Sequence, residues 1–219
     1  MFKHLHPYKP FVPEGATKLI MGTIPPPRFS TGELYAEDVN FCYGSKNGLL
    51  WPIMDRIFNL NLKYLNTEEA VVQRKNFLEK NKIGIYDIVE SCMREKINAS
   101  DQEMKNIKLR DVFSIFRKNP SVKTILFTGG NSKNGPEYLF RKYIKPYGVK
   151  MELISEMIPK IYQFEFNNRN YKTISLISPS NAANRSIGAN PVYKKIKKIN
   201  PDYTTFRYRL DQYSVFFMD

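Results

Sequence analysis

Short apolar runs alternate with amphipathic segments along most of the chain. Apolar runs bounded by glycine, proline or polar residues predict buried strands, and they span residues 17–22, 83–89, 122–127, 150–154 and 171–177. Segments whose apolar residues recur at helical spacing predict helices, and they span residues 48–58, 67–81, 110–118, 136–144 and 191–200. Strands that alternate with helices are typical of α/β proteins with a mostly parallel sheet.

We therefore expect a three-layer α/β/α sandwich around a mostly parallel central sheet of about four strands. The chain has 219 residues, of which 42% are hydrophobic, and this suits a single domain over residues 1–219. Within it we expect a lead-in segment at 1–14 and an α/β core at 15–200. We expect residues 201–219 to form a C-terminal tail docked on the core, because their aromatic content suits a terminal strand or a docked tail.

The chain is strongly basic, with 34 lysine and arginine residues against 21 aspartate and glutamate residues, a net charge of +13. Such an excess favours a polyanionic partner, and an ordinary basic protein is the alternative. No apolar run approaches the roughly 18 residues of a membrane span, and the first residues lack a secretory apolar region. We expect a cytoplasmic monomer, nucleoid-associated if bacterial, with no membrane partner.

Cysteines and histidines are few. Cys42 and Cys92 are the only cysteines, too few for an iron–sulfur cluster or a cysteine-rich zinc site, and they fit a reduced, intracellular protein. His4 and His6 are the only histidines and lie near an end that we expect to be loose. We expect no metal and no other cofactor, and chemistry that proceeds without a histidine base.

Unusual residues follow three of the predicted strands, at 22–27, 86–87 and 178–185. The carboxyl ends of parallel strands lie along one edge of a sheet, where α/β proteins place their sites, so we expect these segments to converge. The long loop at 28–46 lacks periodicity and carries aromatic residues. Loops of this length inside a compact domain are usually functional or disordered, and the aromatic residues favour a function.

The third segment is a run of small and polar residues: Ser178, Pro179, Ser180, Asn181, Ala182, Ala183, Asn184 and Arg185. Small side chains let a backbone approach a ligand closely, and hydroxyl and amide groups can bind phosphate oxygens. The alternative is an ordinary strand-to-helix loop rich in turn-forming residues. The following helix adds Lys194 and Lys195, with Val192, Ile196 and Ile199 expected on its buried face, and its lysines equally suit a solvated face.

In combination these segments resemble the uracil-DNA glycosylase superfamily, in particular its mismatch-specific and hypoxanthine-DNA glycosylase branches. Gly22-Thr23-Ile24-Pro25-Pro26 is similar to the first motif, and Asn47 followed by the Trp51 helix start is similar to the family's Asn and helix. Residues 85–94 look like the family's second strand. Residues 179–185 resemble its second motif, the loop that enters the DNA minor groove.

The resemblance implies a metal-independent hydrolase that removes a flipped, deaminated base, such as uracil or hypoxanthine, from damaged duplex or single-stranded DNA. Asn47 would position the water, and a plain helix N-cap is the alternative. The implied base-binding residues are Gly22, Thr23, Ile24, Pro25, Phe41, Tyr43, Tyr86 and Asp87. Residues 178–185 would hold the DNA strand, together with Lys194 and Lys195.

Two of these assignments have structural alternatives. Phe41 or Tyr43 would stack on the flipped base, whereas the alternative is that both are buried loop aromatics. Tyr86 and Asp87 would read the edge of the base, whereas the alternative is that Asp87 anchors the adjacent turn.

Some positions depart from the family's pattern. Ile24 stands where many members have a water-activating Asp or Asn, Gly44-Ser45 replaces a His-Pro pair, and an extra residue separates Asn47 from Trp51. A non-catalytic DNA-binding or lesion-sensing protein on the same fold is therefore a second hypothesis.

A third hypothesis is a nuclease of a different class. It would use Asp38, Glu37 or Asp87 with Mg²⁺, which prefers carboxylate oxygens. The three acidic residues are scattered along the chain, so the hypothesis depends on the fold bringing them together.

Overall fold

The computed structural model describes residues 1–218, and within them the chain forms nine strands and eight helices. The strands are β1 (Phe2–Leu5), β2 (Lys18–Met21), β3 (Ile83–Ile85), β4 (Val89–Arg94), β5 (Lys105–Leu109), β6 (Thr124–Phe127), β7 (Glu152–Ser155), β8 (Ile161–Phe166) and β9 (Arg169–Ser175). The helices are α1 (Pro27–Thr31), α2 (Leu50–Phe58), α3 (Glu68–Lys80), α4 (Val112–Lys118), α5 (Pro136–Ile144), α6 (Asn184–Ala189), α7 (Pro191–Ile199) and α8 (Thr205–Phe217). No helix in this part of the chain is long and apolar enough to cross a membrane.

Six strands form the central sheet, in the order β3-β2-β6-β9-β8-β7. The first four are parallel to one another, and β8 and β7 extend the sheet as antiparallel strands. The predicted α/β class is confirmed, but the predicted sheet is too narrow. The prediction missed β8, which pairs with β9 across a turn whose Asn167 and Asn168 have φ values of 51° and 56°, typical of a tight hairpin.

Side chains alternate across the parallel strands, and helices cover both faces of the sheet. On one face, Ile20 of β2 and Leu126 of β6 pack in a cluster with α2, α3 and α8. On the other, Met21 and Phe127 pack with α4 and α5. Because both faces are buried, these strands are continuously apolar. Polar residues are therefore concentrated where the strands end.

A second, smaller sheet has three antiparallel strands in the order β1-β4-β5. The chain leaves the parallel sheet after β3, and β4 belongs to this second sheet, so the single strand predicted at 83–89 is two strands in different sheets. β1 pairs with β4, with Phe2 opposite Arg94 and Leu5 opposite Ser91. The expectation of a loose N-terminal end is therefore wrong, because backbone pairing to a distant strand holds these residues.

The C-terminal segment is a helix rather than a strand. Thr204 caps α8 by accepting a hydrogen bond of 3.1 Å from the Arg207 amide. Leu210, Tyr213 and Phe217 of α8 pack in the same core cluster as α2. Their spacing of three and four residues suits a helix, which the aromatic content alone did not distinguish from a strand.

Candidate functional site

A cavity of about 630 Å³ lies at the carboxyl ends of the parallel strands. This volume is within the range of about 300–1,000 Å³ that is typical of ligand sites. Residues from all three strand ends singled out in the sequence line it, namely Thr23, Ile24, Pro25, Asp87, Ser178, Pro179, Ser180 and Ala182. Tyr43 and Asn47 of the long loop line it as well.

Two of the predicted base-binding aromatics lie outside the cavity. Phe41 is 6% exposed and packs against Phe11 and Trp51 in the core. Tyr86 is also buried, and the Arg110 guanidinium lies 5.9 Å from its ring centre. Both are positioned as core aromatics, and within the described chain Tyr43 is the only aromatic side chain in the cavity wall.

Gly22 follows β2 at a point where no side chain fits. A Cβ atom here would lie 2.2 Å from the Tyr43 hydroxyl oxygen and 2.8 Å from Asp87 Oδ1. The Gly22 amide donates a hydrogen bond of 3.0 Å to Asp87 Oδ1. The glycine of the first motif is thus required by the close approach of a tyrosine and an aspartate to the backbone.

Asp87 is buried and accepts hydrogen bonds from three protein groups. Besides the Gly22 amide, the Tyr43 hydroxyl donates to Oδ1 at 2.9 Å, and His6 Nε2 lies 3.1 Å from Oδ2. The Tyr8 amide donates to His6 Nδ1, so in neutral His6 the proton is on Nε2 and is donated to Asp87. Burial alone would raise the pKa of Asp87, but His6 and Tyr43 outweigh it and lower that pKa. Asp87 is an ionised residue whose oxygens are engaged by protein.

Both histidines are packed into the structure rather than lying in a loose segment. The side chain of His6 is 1% exposed. His4 is equally buried and accepts a hydrogen bond of 2.9 Å from Arg94 Nε. Burial, followed by the charge of Arg94, lowers the pKa of His4 to about 4, so His4 is neutral. His6 therefore contacts a cavity residue, Asp87, although the sequence placed both histidines near an end that we expected to be loose.

Tyr43 has an unusual backbone conformation at the cavity wall. Its φ of 58° lies in the left-handed region, which costs a residue other than glycine about 1–2 kcal/mol. Its hydroxyl also lies 3.2 Å from Thr128 Oγ1. Burial, followed by the charge of Asp87, raises the pKa of the phenol, so the hydroxyl stays a neutral donor. These contacts hold the ring in place.

Asn47 is exposed at the cavity. Helix α2 begins only at Leu50, with Leu49 as an N-cap that makes no side-chain bond, so the interpretation of Asn47 as a helix N-cap is wrong. Its backbone amide donates to Ser45 Oγ at 3.3 Å. Within residues 1–218 the side-chain amide of Asn47 has no hydrogen-bond partner, so its oxygen and nitrogen are available to a ligand.

Backbone contacts join the segment around Asn47 to residues 178–185, which we call the second-motif loop. The Leu49 amide donates a hydrogen bond of 2.9 Å to the Pro179 carbonyl. Gly48 and Ser180 form an antiparallel bridge. The two motifs that lie far apart in sequence are therefore held together beside the cavity.

Arg209 of α8 holds the second-motif loop from the other end of the chain. Its side chain is fully buried. Nε donates to the Ser178 carbonyl at 3.0 Å, Nη2 to the Ser180 carbonyl at 2.7 Å, and Nη1 to Asn184 Oδ1 at 2.8 Å. Sequence reasoning missed this residue, because a single arginine in a C-terminal helix carries no signal of what it contacts.

The remaining predicted DNA-binding residues lie outside the cavity wall. Asn181 and Arg185 are exposed, whereas Ala183 and Asn184 are partly buried. Lys194 and Lys195 are exposed on α7. The expected buried face of α7 is wrong for Val192 and Ile199, which are 58% and 79% exposed, whereas Ile196 is partly buried as expected. Instead Tyr193 of the same helix is buried, against Tyr203 and Tyr208.

The long loop is fixed by a buried ion pair. Arg28 donates from Nε to Asp38 Oδ2 at 2.7 Å and from Nη2 to Oδ1 at 2.8 Å. The amides of Tyr35 and Lys46 donate to the same carboxylate at 3.0 Å and 2.8 Å. Arg28 also donates to Ser45 Oγ at 2.8 Å. Asp38 thus holds both ends of the segment that precedes Asn47.

The acidic residues of the nuclease hypothesis do not converge. Asp38 is neutralised by Arg28, Glu37 is exposed and paired with Lys46, and Asp87 is bound by His6 and Tyr43. In the part of the chain that the structure describes, no group of three or more His, Cys, Asp or Glu side chains could hold a metal ion. The geometry does not favour this hypothesis.

Another carboxyl group in the cavity, that of Asp101, escaped the sequence interpretation. The Thr23 hydroxyl donates a hydrogen bond of 2.9 Å to Asp101 Oδ1. Desolvation raises the pKa of Asp101 to about 6, against the opposing influence of Thr23. From the sequence, the segment around Asp101 predicts only a turn or a helix cap, so burial beside Thr23 was the missing information.

No protein-family model matches the chain, and no curated protein matches it. The structure is similar to a solution structure from Methanosarcina acetivorans that is described as a candidate uracil DNA glycosylase. The TM-score is 0.54 and the sequence identity 16%, over 95% of this chain and 99% of that chain. The chain therefore has a fold that resembles a uracil-DNA glycosylase-like structure.

Proposed function

We propose that the protein is a DNA glycosylase of the uracil-DNA glycosylase superfamily, with the three-layer fold of its mismatch-specific and hypoxanthine branches. It hydrolyses the N-glycosidic bond of a flipped, deaminated base, uracil or hypoxanthine, without a metal. The observation that carries the proposal is the free side-chain amide of Asn47 in a cavity of about 630 Å³, large enough to admit a nucleobase, next to the second-motif loop.

Asn47 suits the positioning of a water molecule. Base removal passes through a cationic, oxocarbenium-like sugar and builds negative charge on the departing base, so the site must place a water and stabilise or neutralise that charge. The Asn47 carbonyl oxygen can accept a hydrogen bond from that water, although an amide cannot act as a base. Its contribution is therefore orientation, which requires a fixed backbone, and the Leu49 and Gly48 contacts to the second motif provide one.

The first motif and Tyr43 suit the binding of the base. Ile24 and Pro25 give the cavity an apolar wall, and Tyr43 adds an aromatic ring. Enzymes that flip a base out of DNA stack it on such side chains. The hydrogen bonds of the Tyr43 hydroxyl to Asp87 and Thr128 fix the ring before a base enters.

The partner would be DNA, whose phosphates favour a protein with a net charge of +13. Ser178 and Ser180 line the cavity, and Arg185, Lys194 and Lys195 are exposed further along the chain. In the proposal the loop holds the distorted strand and the basic residues contact its phosphates.

The test is base release from DNA duplexes and single strands that carry one uracil or one hypoxanthine, with EDTA present, followed by detection of abasic sites. Abasic product from the wild type, and its loss in Asn47→Ala, supports the proposal. Asn76→Ala is the matched control, because Asn76 is exposed on α3 away from the cavity. An equally active Asn47→Ala variant contradicts the role of Asn47.

A non-catalytic, lesion-sensing protein is the second candidate, and Ile24 favours it. This apolar residue lines the cavity at a position where many members of the superfamily carry a polar side chain. Salt-sensitive binding to the damaged strands without any abasic product selects this candidate over the first.

A further inference from the structure

The 3₁₀ turn at Asp101–Glu103 places in the cavity a carboxyl group that water positioning by Asn47 does not use. Asp101 Oδ1 accepts the hydrogen bond from Thr23, and Asn134 Nδ2 donates to the Asp101 main-chain oxygen at 3.0 Å. Oδ2 has no partner among the described residues and is not sealed inside the protein. This oxygen is therefore open to the cavity that Asp101 lines.

Charged groups from several elements act on Asp101. Arg94 of β4 is buried, donates from Nη1 to the Ser100 carbonyl at 2.6 Å, and favours the ionised form of Asp101. Asp87 lines the same cavity and favours the neutral form, and Lys133 lines it as well. Desolvation is the largest influence, and the net result is a pKa of about 6. A substantial fraction of Asp101 is then protonated in mildly acidic solution.

The two carboxyl groups of the cavity are thus shifted in opposite directions, since the pKa of Asp87 is lowered and that of Asp101 is raised. Sites that cleave glycosidic bonds separate an acid from an ionised carboxylate in this way. The other oxygen of Asp101 is free to meet a ligand, whereas both oxygens of Asp87 are occupied. The acid and the structural anion are therefore distinguishable by geometry.

We propose that Asp101 is the catalytic acid of this site and donates the proton on Oδ2 to the departing base. The proposal rests on the proposed glycosylase function and deepens it. It also bears on the departure at Ile24: beside this apolar residue the cavity wall has polar groups on Thr23, one residue earlier, and on Asp101, to which Thr23 is hydrogen-bonded.

The step balances as follows. The bond between the sugar C1′ and the base nitrogen breaks, and its electron pair goes to the base. The Asp101 O–H bond breaks and its proton goes to an accepting nitrogen or oxygen of the base, which leaves neutral. Water then forms a bond to C1′ and loses a proton, which returns to the Asp101 carboxylate directly or through solvent. The products are a free base and an abasic sugar, and Asp101 is restored.

The first test is single-turnover base release by the full chain across pH, with uracil and hypoxanthine substrates in separate arms. The wild-type rate should fall as pH rises through about 6. Asp101→Asn keeps an acceptor for Thr23 but carries no transferable proton, so at acid pH it should lose about 100-fold or more in rate, a typical size for acid catalysis, and lose the pH dependence. Glu103→Gln is the control, because it removes a carboxylate from the same turn but outside the cavity wall.

Thr23→Val sharpens the test, because the Thr23 hydroxyl favours the ionised form of Asp101. Without it, the fall in rate should move to higher pH, which loss of a merely structural contact would not produce. A break that stays at the same pH in Thr23→Val, or an Asp101→Asn variant within about threefold of wild type with an unchanged pH profile, overturns the role of Asp101.

A second readout does not depend on activity. NMR of protein labelled at the aspartate carboxyl carbons should show one signal that titrates near pH 6 and is missing in Asp101→Asn. Titration of Asp101 at the ordinary value of about 3.9 overturns the inference while leaving the glycosylase proposal intact. If the wild type releases no base from any substrate, the proposed function fails and this inference fails with it.

Discussion

Polar groups at the cavity fall into two sets. The bonded set makes hydrogen bonds to protein groups, and the open set has no protein partner in the described chain. Asp87 accepts hydrogen bonds from Gly22, Tyr43 and His6, whereas the side-chain amide of Asn47 and Oδ2 of Asp101 have no partner in the described chain. A buried polar group that is fully bonded stabilises the fold, and an unbonded one at a cavity is available for a ligand. On this comparison we propose a structural role for Asp87 and roles in chemistry for Asn47 and Asp101.

The largest expected effect comes from breaking the bonded set. Asp87→Ala leaves three donors without an acceptor, and we expect the free energy of unfolding to fall by about 3–5 kcal/mol, as for other buried ionic partners. Asp87→Asn should lose less, because one acceptor oxygen remains. Thermal and urea unfolding measure both.

The control for Asp87 is Glu90→Gln, which removes an exposed ion pair with Lys108. We expect a change below about 1 kcal/mol there. If Asp87→Ala were as stable as this control, the hydrogen bonds of Asp87 would not stabilise the fold. A role for Asp87 in chemistry would then have to be considered instead.

The second effect concerns Arg209, whose hydrogen bonds hold the second-motif loop beside Asn47. Arg209→Met leaves two loop carbonyls and the Asn184 side chain without a donor, so we expect a loss of about 3 kcal/mol in stability. The second-motif loop also carries the contacts to Gly48 and Leu49, so kcat for base release should fall even at temperatures where the variant is folded. Circular dichroism and single-turnover rates together measure this.

Arg209→Lys restores the charge but cannot supply the three-way donor geometry, so it should recover stability only in part. Arg207→Met is the matched control, since Arg207 lies on the same helix and is 58% exposed in an ion pair with Asp211. Normal kcat in a folded Arg209→Met variant would show that the loop does not need α8.

Sequence reasoning located the strand ends around the cavity better than the long-range contacts that hold them, and of the two residues without a protein partner it named Asn47 but missed Asp101. The rule that parallel strand ends share an edge predicts that residues 22–27, 86–87 and 178–185 surround one site, and part of each segment lines one cavity: residues 23–26, Asp87, residues 178–180 and Ala182. The contacts of His6 and Arg209 join the first and last elements of the chain to this edge. Such contacts depend on tertiary packing, which leaves no periodic signal in either segment.

The strands that are buried on both faces were predictable from the sequence, whereas those that depend on pairing with a distant or exposed strand were not. Continuously apolar strands such as β6 stand out because both faces are buried. β1 and β8 are partly exposed, and each becomes a strand through pairing with β4 or β9. Burial is also what separates Phe41 in the core from Tyr43 in the wall, although both are aromatic residues of one loop.

A smaller effect is the pH dependence of stability from Asp101. Its raised pKa means that the folded protein binds this proton more tightly than the unfolded chain, so the contribution of Asp101 to wild-type stability falls as pH rises from about 4 to about 6. Asp101→Asn cannot ionise, so relative to wild type it should be more stable near neutral pH, by up to about 2 kcal/mol after allowance for partial exposure. Melting temperatures at about pH 4.5 and pH 7.5 measure the difference. If the melting temperatures of Asp101→Asn and wild type differ by the same amount at both pH values, the pKa of Asp101 is not raised.

The smallest effect concerns charges outside the cavity. The double variant Lys194→Ala, Lys195→Ala should weaken DNA binding without changing the fold, and the slope of log K against log salt should decrease by roughly 1 per lysine. Lys118→Ala with Lys142→Ala removes two exposed lysines from α4 and α5 and is the control. If the two double variants had equal salt slopes, Lys194 and Lys195 would not contact the DNA.

The most direct measurement of the central claim is base release by the wild type, Asn47→Ala and Asn76→Ala, on uracil- and hypoxanthine-containing DNA in EDTA. The account predicts abasic product from the wild type and from Asn76→Ala, and a rate lower by about 100-fold or more in Asn47→Ala with an unchanged melting temperature. Equal rates in all three proteins, or no abasic product from the wild type, would contradict it.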